Sequence, residues 1–61
     1  MINHRRVYIP VLVSDFEVIV EGEEKPSIED AEMFGVAMAE EYMEETGNSC
    51  SIEIKTVILF Y

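Results

Sequence analysis

The period of the hydrophobic positions changes along the chain, and each change marks a predicted element. Residues 7–13 are apolar at odd and even positions alike, which predicts a strand that needs cover on both faces. Residues 16–21 alternate, with Phe16, Val18 and Val20 expected on one face of a half-buried strand. Residues 50–61 first alternate and then become apolar on both sides. Pro10 cannot donate to a ladder, so the first strand should lie at an edge or beside an irregularity.

Residues 28–45 are predicted to form an amphipathic helix. Ser27 is the expected N-cap, with Asp30 three residues later as in a capping box, and Gly47 suits the left-handed C-terminal position. One broad side of this helix is apolar and should face a sheet: Ile28, Ala31, Phe34, Gly35, Met38, Ala39 and Tyr42. The small residues among them form a ridge that lets the helix approach its support closely.

Element lengths narrow the choice of fold. The predicted helix spans about 27 Å, which matches about eight strand residues. Residues 14–21 and 50–57 therefore fit a βαβ unit, in which parallel strands are expected. Residues 7–13 either fold back at Ser14 and Asp15, giving ββαβ, or continue as one long bent first strand. The prediction is one small α+β domain over residues 1–61, with the helix on a two- or three-stranded sheet that dimerisation completes.

The size of the chain favours association with another copy. A chain of 61 residues buries too little surface for a robust core, and Cys50 is its only cysteine, so no intrachain disulfide can help. The two-sided apolar segments would supply the contact, either by strand addition or by packing of sheet faces. The expected oligomer interface consists of Val7, Ile9, Val11, Val13, Val57, Leu59 and Tyr61. The polar first residues resemble neither a secretory leader nor a membrane span, and a cytoplasmic protein is expected.

The charge of the chain lies in one stretch. Residues 21–45 hold ten of the 13 acids against Lys25 alone, and the rest of the chain is neutral. On the predicted helix the acids gather on the side away from the apolar stripe. That candidate partner-binding face consists of Glu29, Asp30, Glu40, Glu41, Glu44 and the apolar Met33. Like charges four residues apart, such as Glu40 and Glu44, cost some tenths of a kcal/mol, so helix stability does not explain them.

Residues suited to catalysis are scarce. His4 and Cys50 could form a nucleophilic pair only if the fold brought them together, and no third orienting group is recognisable. The acids lack the spacing of a calcium loop, and two ligands are too few for zinc. No catalytic residue, metal or cofactor is therefore predicted. The isoelectric point near 4.2 also disfavours direct contact with nucleic acid.

The leading functional hypothesis is a non-enzymatic, homo-oligomeric interaction protein. Its acidic helix face would bind or inhibit a basic protein, and could mimic nucleic acid in the binding groove of a nucleic-acid-binding protein. The alternative is an assembly module whose apolar strands mediate oligomerisation. In that case the acids serve only to keep a protein with exposed apolar surface soluble.

Overall fold

A computed structural model describes residues 3–61 as a three-stranded antiparallel sheet with one helix packed on it. The elements are β1 (His4–Ser14), β2 (Glu17–Glu21), α1 (Ile28–Thr46) and β3 (Ser51–Phe60). β1 is the central strand of the order β2-β1-β3. The predicted α+β class and ββαβ order are confirmed, whereas completion of the sheet by dimerisation stays a prediction.

The chain folds back between β1 and β2, which selects the hairpin over the long bent strand. Asp15 and Phe16 form the turn with φ of 51° and 65°. Positive φ at both central positions is the requirement of a type I′ hairpin turn, where Asn-Gly is the usual sequence. β2 and β3 are each antiparallel to β1 and so run in the same direction. The expected parallel pair is not formed, because β1 lies between them.

Pro10 lies within the central strand and not at an edge. Tyr8 exchanges backbone hydrogen bonds of 2.9 and 2.7 Å with Lys25, so even-numbered residues of β1 direct their polar groups towards β2. The Gly22 N–H donates to the Pro10 carbonyl at 2.8 Å. Regular pairing with β2 has ended by this point, at Glu21. The missing N–H of Pro10 therefore falls where the ladder is interrupted, which confirms the predicted irregularity.

A register shift corrects the predicted faces of β2. Val20 pairs with Leu12 and Val18 pairs with Val13, so Ile19 is an extra residue in the bulged strand. Cross-strand partners share a face, and Leu12 and Val13 point to opposite faces. Val18 and Val20 therefore lie on opposite faces, although simple alternation placed them together.

The helix has the predicted ends. Ser27 accepts a hydrogen bond of 3.2 Å from the Asp30 N–H, and Gly47 has φ of 75° and donates to the Met43 carbonyl. A Cβ on Gly35 would lie 2.7 Å from Cγ2 of Ile52, so the predicted ridge of small residues does meet the sheet. The helix backbone lies over β1 and β3, and only side chains such as Met38 and Tyr42 reach towards β2. This offset leaves α1 on the β3 side of the molecule.

Candidate functional site

The predicted partner-binding residues share the outer side of α1. All six are exposed, and Met33 retains 72% of its accessible surface. The opposite side of the helix holds the buried Ala31 and Gly35, so the sheet fixes which way the acids point. The result is a rigid row of carboxylates along the outside of the molecule: Glu29, Asp30, Glu40, Glu41 and Glu44. Residues 3–61 show none of these acids in a salt bridge.

Among the described residues no cation forms a salt bridge with this row, although Lys25 lines a depression with Asp30, and Arg5 and Arg6 lie beside Lys25. Lys25 lies 4.3 Å above the centre of the Phe34 ring and 3.8 Å from a Glu23 carboxylate oxygen. Lys55 lies 3.6 Å from Glu21. Arg5 lies on β1 opposite Leu59, near the end of β3. The acidic face therefore keeps its charge, and its field is directed at solvent.

The ends of α1 differ in how well they tolerate these acids. Glu29 and Asp30 lie in the first turn, where the helix dipole favours negative charge. The last turn contains no basic residue, and Glu44 lies near that end. Glu40 and Glu44 also face each other at a spacing of four residues. The C-terminal half of the acidic face is therefore the part that helix energetics does not account for.

Met33 lies at the border of the acids with a small apolar depression. The depression is lined by Lys25, Pro26, Phe34 and Ala37 together with Asp30 and Met33. A flexible thioether beside carboxylates offers an adaptable apolar contact within a charged surface. Sequence spacing predicted that Met33 would lie here, but the neighbouring Lys25 and Pro26 come from the loop before the helix.

The predicted oligomer interface lies on the face of the sheet opposite the helix. The seven residues share this face by alternation along β1 and β3. Val7 and Val11 are already buried, at 4% and 6% exposure, within one protomer. The ion pair between Glu21 on β2 and Lys55 on β3 spans the central strand over this face. Less apolar surface is therefore free here than the sequence suggested.

Larger exposed apolar groups lie at the far end of β3, on the helix side. Ile58 and Phe60 retain 45% and 69% of their surface, because the helix does not extend over this end of the sheet. The Phe60 ring lies beside the His4 ring, at a centroid distance of 6.1 Å. Neither residue was among the predicted interface set. The sequence does show that residues 56–61 are apolar on both faces of the strand. Alternation alone does not show which of the two faces the helix leaves uncovered.

His4 and Cys50 lie at opposite ends of the sheet. His4 pairs with Phe60, whereas Cys50 precedes Ser51, which pairs with Val13. About nine strand residues, or roughly 30 Å, separate these positions. One protomer therefore cannot use them as a nucleophile and its base. In the described part of the chain no group of three or more His, Cys, Asp or Glu is arranged to hold a metal ion.

α1 is a surface element of the domain, with charged residues along its outer side. No helix among residues 3–61 has the length and apolar character needed to cross a membrane. Comparisons with protein-family models, with curated proteins and with solved structures found no match to this chain.

Proposed function

We propose that this chain is a non-enzymatic, homo-oligomeric interaction protein that binds a basic protein through the outer face of α1. The observation that carries the proposal is a row of exposed acids that form no salt bridge within the described residues. Such a row creates a directional negative potential, which speeds encounter with a positively charged surface and orients it. A cytoplasmic location, with Cys50 as a free thiol, belongs to the same proposal.

The chemistry of the partner follows from the geometry of the face. Carboxylates along a straight helix can replace phosphates in a groove lined by Arg and Lys, because Arg binds both groups in the same bidentate way. Met33 adds an apolar contact within the row. The protein would then inhibit a nucleic-acid-binding protein by occupying its basic groove, without touching nucleic acid itself.

Two matched sets of substitutions test this proposal. The first set changes Glu29, Glu40, Glu41 and Glu44 to Gln on the outer face of α1. The control set changes Asp15 to Asn and Glu17, Glu23 and Glu24 to Gln, all exposed and outside the helix. Each set removes four negative charges, so the two variants have the same net charge and differ only in where charge is lost.

The measurement is retention of basic proteins on the immobilised chain at about 50 mM and about 500 mM salt, since salt screens exposed charges. A retained protein is then tested for displacement from a DNA duplex by the soluble chain. We expect binding at low salt that the outer-face set abolishes and the control set preserves. Equal loss in both sets would mean that net charge alone attracts proteins, and the proposed face would be wrong.

The assembly module is the second candidate, and the exposed Ile58 and Phe60 favour it. In that case oligomerisation is the whole function, and the acids serve solubility. The outer-face set would then leave the association state unchanged, and no basic protein would be retained by the unmodified chain. Retention of a basic protein by the unmodified chain, lost in the outer-face variant, therefore separates the two candidates.

A further inference from the structure

The outer edge of β3 carries unpaired backbone groups at alternate residues. Asn3 and Tyr61 exchange hydrogen bonds of 3.2 and 3.0 Å, which fixes the phase of the β1 and β3 ladder. By alternation, odd-numbered residues of β3 bond to β1, and even-numbered residues direct their N–H and C=O groups away from the sheet. The residues with outward groups are Ile52, Ile54, Thr56, Ile58 and Phe60.

We propose that this edge pairs with the same edge of a second copy, so that two three-stranded sheets become one antiparallel six-stranded sheet. The proposal rests on the homo-oligomeric part of the proposed function and is independent of its acidic face. β3 spans ten residues without proline, and its pairing with β1 has no register shift. Glu53 and Lys55 cancel within the strand, so β3 itself carries no net charge.

The charges on β3 select one register. A two-fold axis through Ile54 places Glu53 of each copy directly opposite Lys55 of the other, and opposite charges at such positions are stabilising. An axis through Glu53 or through Lys55 would oppose two like charges. An axis through Thr56 would leave both charges opposite apolar residues. The register about Ile54 also matches outward N–H groups to outward carbonyls, giving about six hydrogen bonds between Ile52, Ile54, Thr56 and their copies.

The position of the helix agrees with this arrangement. α1 packs on β1 and β3, so its axis lies about half a strand spacing from β3. Across a junction of two β3 strands, the helix axes would be about two strand spacings apart, or about 10 Å, a normal distance for packed helices. Met38 and Tyr42 line the β2 side of α1, and Val36 lies on the other side by helical periodicity. Val36 is 48% exposed and would lie between the two helices, with the exposed Glu32 one turn before it on the same side.

Disulfide trapping tests the register. Two chains are prepared with Cys50→Ser, one carrying Glu53→Cys and the other Lys55→Cys. Directly opposed residues of a non-hydrogen-bonded pair have Cα atoms about 4.5 Å apart, which suits a disulfide. On oxidation, we expect the mixture to form a cross-linked dimer and each chain alone to form much less. The comparison is Lys55→Cys mixed with Val57→Cys, which would cross-link instead if the axis passed through Thr56.

Charge exchange tests the same contact without a covalent bond. Glu53→Lys and Lys55→Glu should each weaken self-association by about tenfold, because two favourable pairs become two repulsive ones. The first variant carries lysine at both positions of β3, and the second carries glutamate at both. In an equimolar mixture every lysine of one copy meets a glutamate of the other, so a heterodimer should form at the affinity of the original homodimer. Failure of the mixture to associate would overturn the proposed register.

Light scattering of the unmodified chain over a dilution series separates the possible failures. A monomer at all concentrations up to about 100 μM would overturn this proposal together with the homo-oligomeric part of the proposed function. A dimer that forms no cross-link between positions 53 and 55 would overturn the β3 edge alone. Loss of basic-protein binding in the outer-face variant is measured separately and bears only on the acidic face.

Discussion

β2 forms one edge of the sheet with five residues, and β3 forms the other with ten. β2 carries Glu17 and Glu21, contains the extra residue Ile19, and follows a turn with two positive φ angles. β3 carries one acid and one base, and it pairs with β1 without a shift. Short length, like charge and a bulge are the means by which proteins keep an edge from pairing. β2 has all three, whereas β3 is twice as long, has no bulge and carries one charge of each sign.

This contrast bears on how a 61-residue chain gains enough burial. The protected edge lies away from the helix, and the open edge lies beside it, where the helix and β3 together present Val36, Ile58 and Phe60. A long unprotected edge in a monomer would invite aggregation. In a closed two-fold dimer, pairing of that edge with its copy would prevent aggregation and would bury additional apolar surface. The difference between the edges therefore favours β3 over β2 as the edge that takes part in the proposed contact.

The largest expected effect comes from Thr56→Pro, which blocks the open edge. The Thr56 N–H points away from β1, so proline removes an outward donor while the pairing with Tyr8 persists. We expect the dimer dissociation constant to rise about thirtyfold, since two symmetric hydrogen bonds are worth about 1 kcal/mol each. Light scattering across a dilution series measures this change.

Thr56→Val is the matched control, because it keeps the N–H and alters only an exposed side chain. It should leave the dissociation constant within about twofold. Circular dichroism should show that both variants keep the native content of helix and strand. Equal weakening by the two substitutions would assign the effect to the side chain and contradict the edge pairing.

Gly35→Ala tests what holds the helix on the β3 side. Alanine favours the helix by about 1 kcal/mol, but its Cβ would lie 2.7 Å from Cγ2 of Ile52 and 3.3 Å from Cβ of Pro10. Ile52 is branched at Cβ and cannot move this methyl away without shifting the strand. Overpacking should exceed the propensity gain and lower the free energy of unfolding by about 1 kcal/mol, as measured by urea titration.

A double-mutant cycle isolates the cause of that loss. With Ile52→Ala present, the contact is gone, and Gly35→Ala should become neutral or stabilising. If Gly35→Ala costs the same with isoleucine and with alanine at position 52, the close approach between α1 and β3 is not what limits this position.

The helix could be predicted from the sequence almost completely, because its signals are local. Ser27 caps it, Gly47 ends it, and the period of small residues identifies the ridge that meets the sheet. The positions of the acids on the outer side of α1 follow from the same helical periodicity. Which residues lie on one face of a capped helix does not depend on the rest of the fold.

The sheet could be predicted only in part, because its order depends on contacts between distant residues. The turn contains Asp15 and Phe16, whereas Asn-Gly is the sequence that predicts a two-residue hairpin. The sequence is therefore also compatible with one long bent strand. The bulge at Ile19 breaks the alternation that assigns faces. Pro10 predicted an edge position for the first strand. The structure has it in the central strand, because regular hydrogen bonding between β1 and β2 has ended before Pro10 and no N–H is needed there. The open surface beside Phe60 depends on where the helix stops covering the sheet, which no local pattern reveals.

Phe16→Gly tests the strain stored beside the protected edge. Phe16 has φ of 65° and a fully exposed side chain, so the folded state gains little from the ring. Glycine adopts this conformation readily, and we expect stabilisation of about 0.5–1 kcal/mol by urea titration. Phe16→Ala removes the ring and keeps the strain, so it should change stability much less. Neither variant should alter dimerisation, and a weaker dimer in either would place the turn at the interface instead.

The smallest expected effect concerns the ion pair that links the two edges across β1. Lys55 and Glu21 are 3.6 Å apart, but their side chains are 59% and 56% exposed. Water and salt screen such a pair, so Glu21→Gln should lower the free energy of unfolding by only some tenths of a kcal/mol. The same variant frees Lys55 for Glu53 of a second copy, so dimerisation should stay the same or strengthen slightly. Weaker dimerisation of Glu21→Gln, measured at protein concentrations where the fold is intact, would show that the protected edge takes part in assembly.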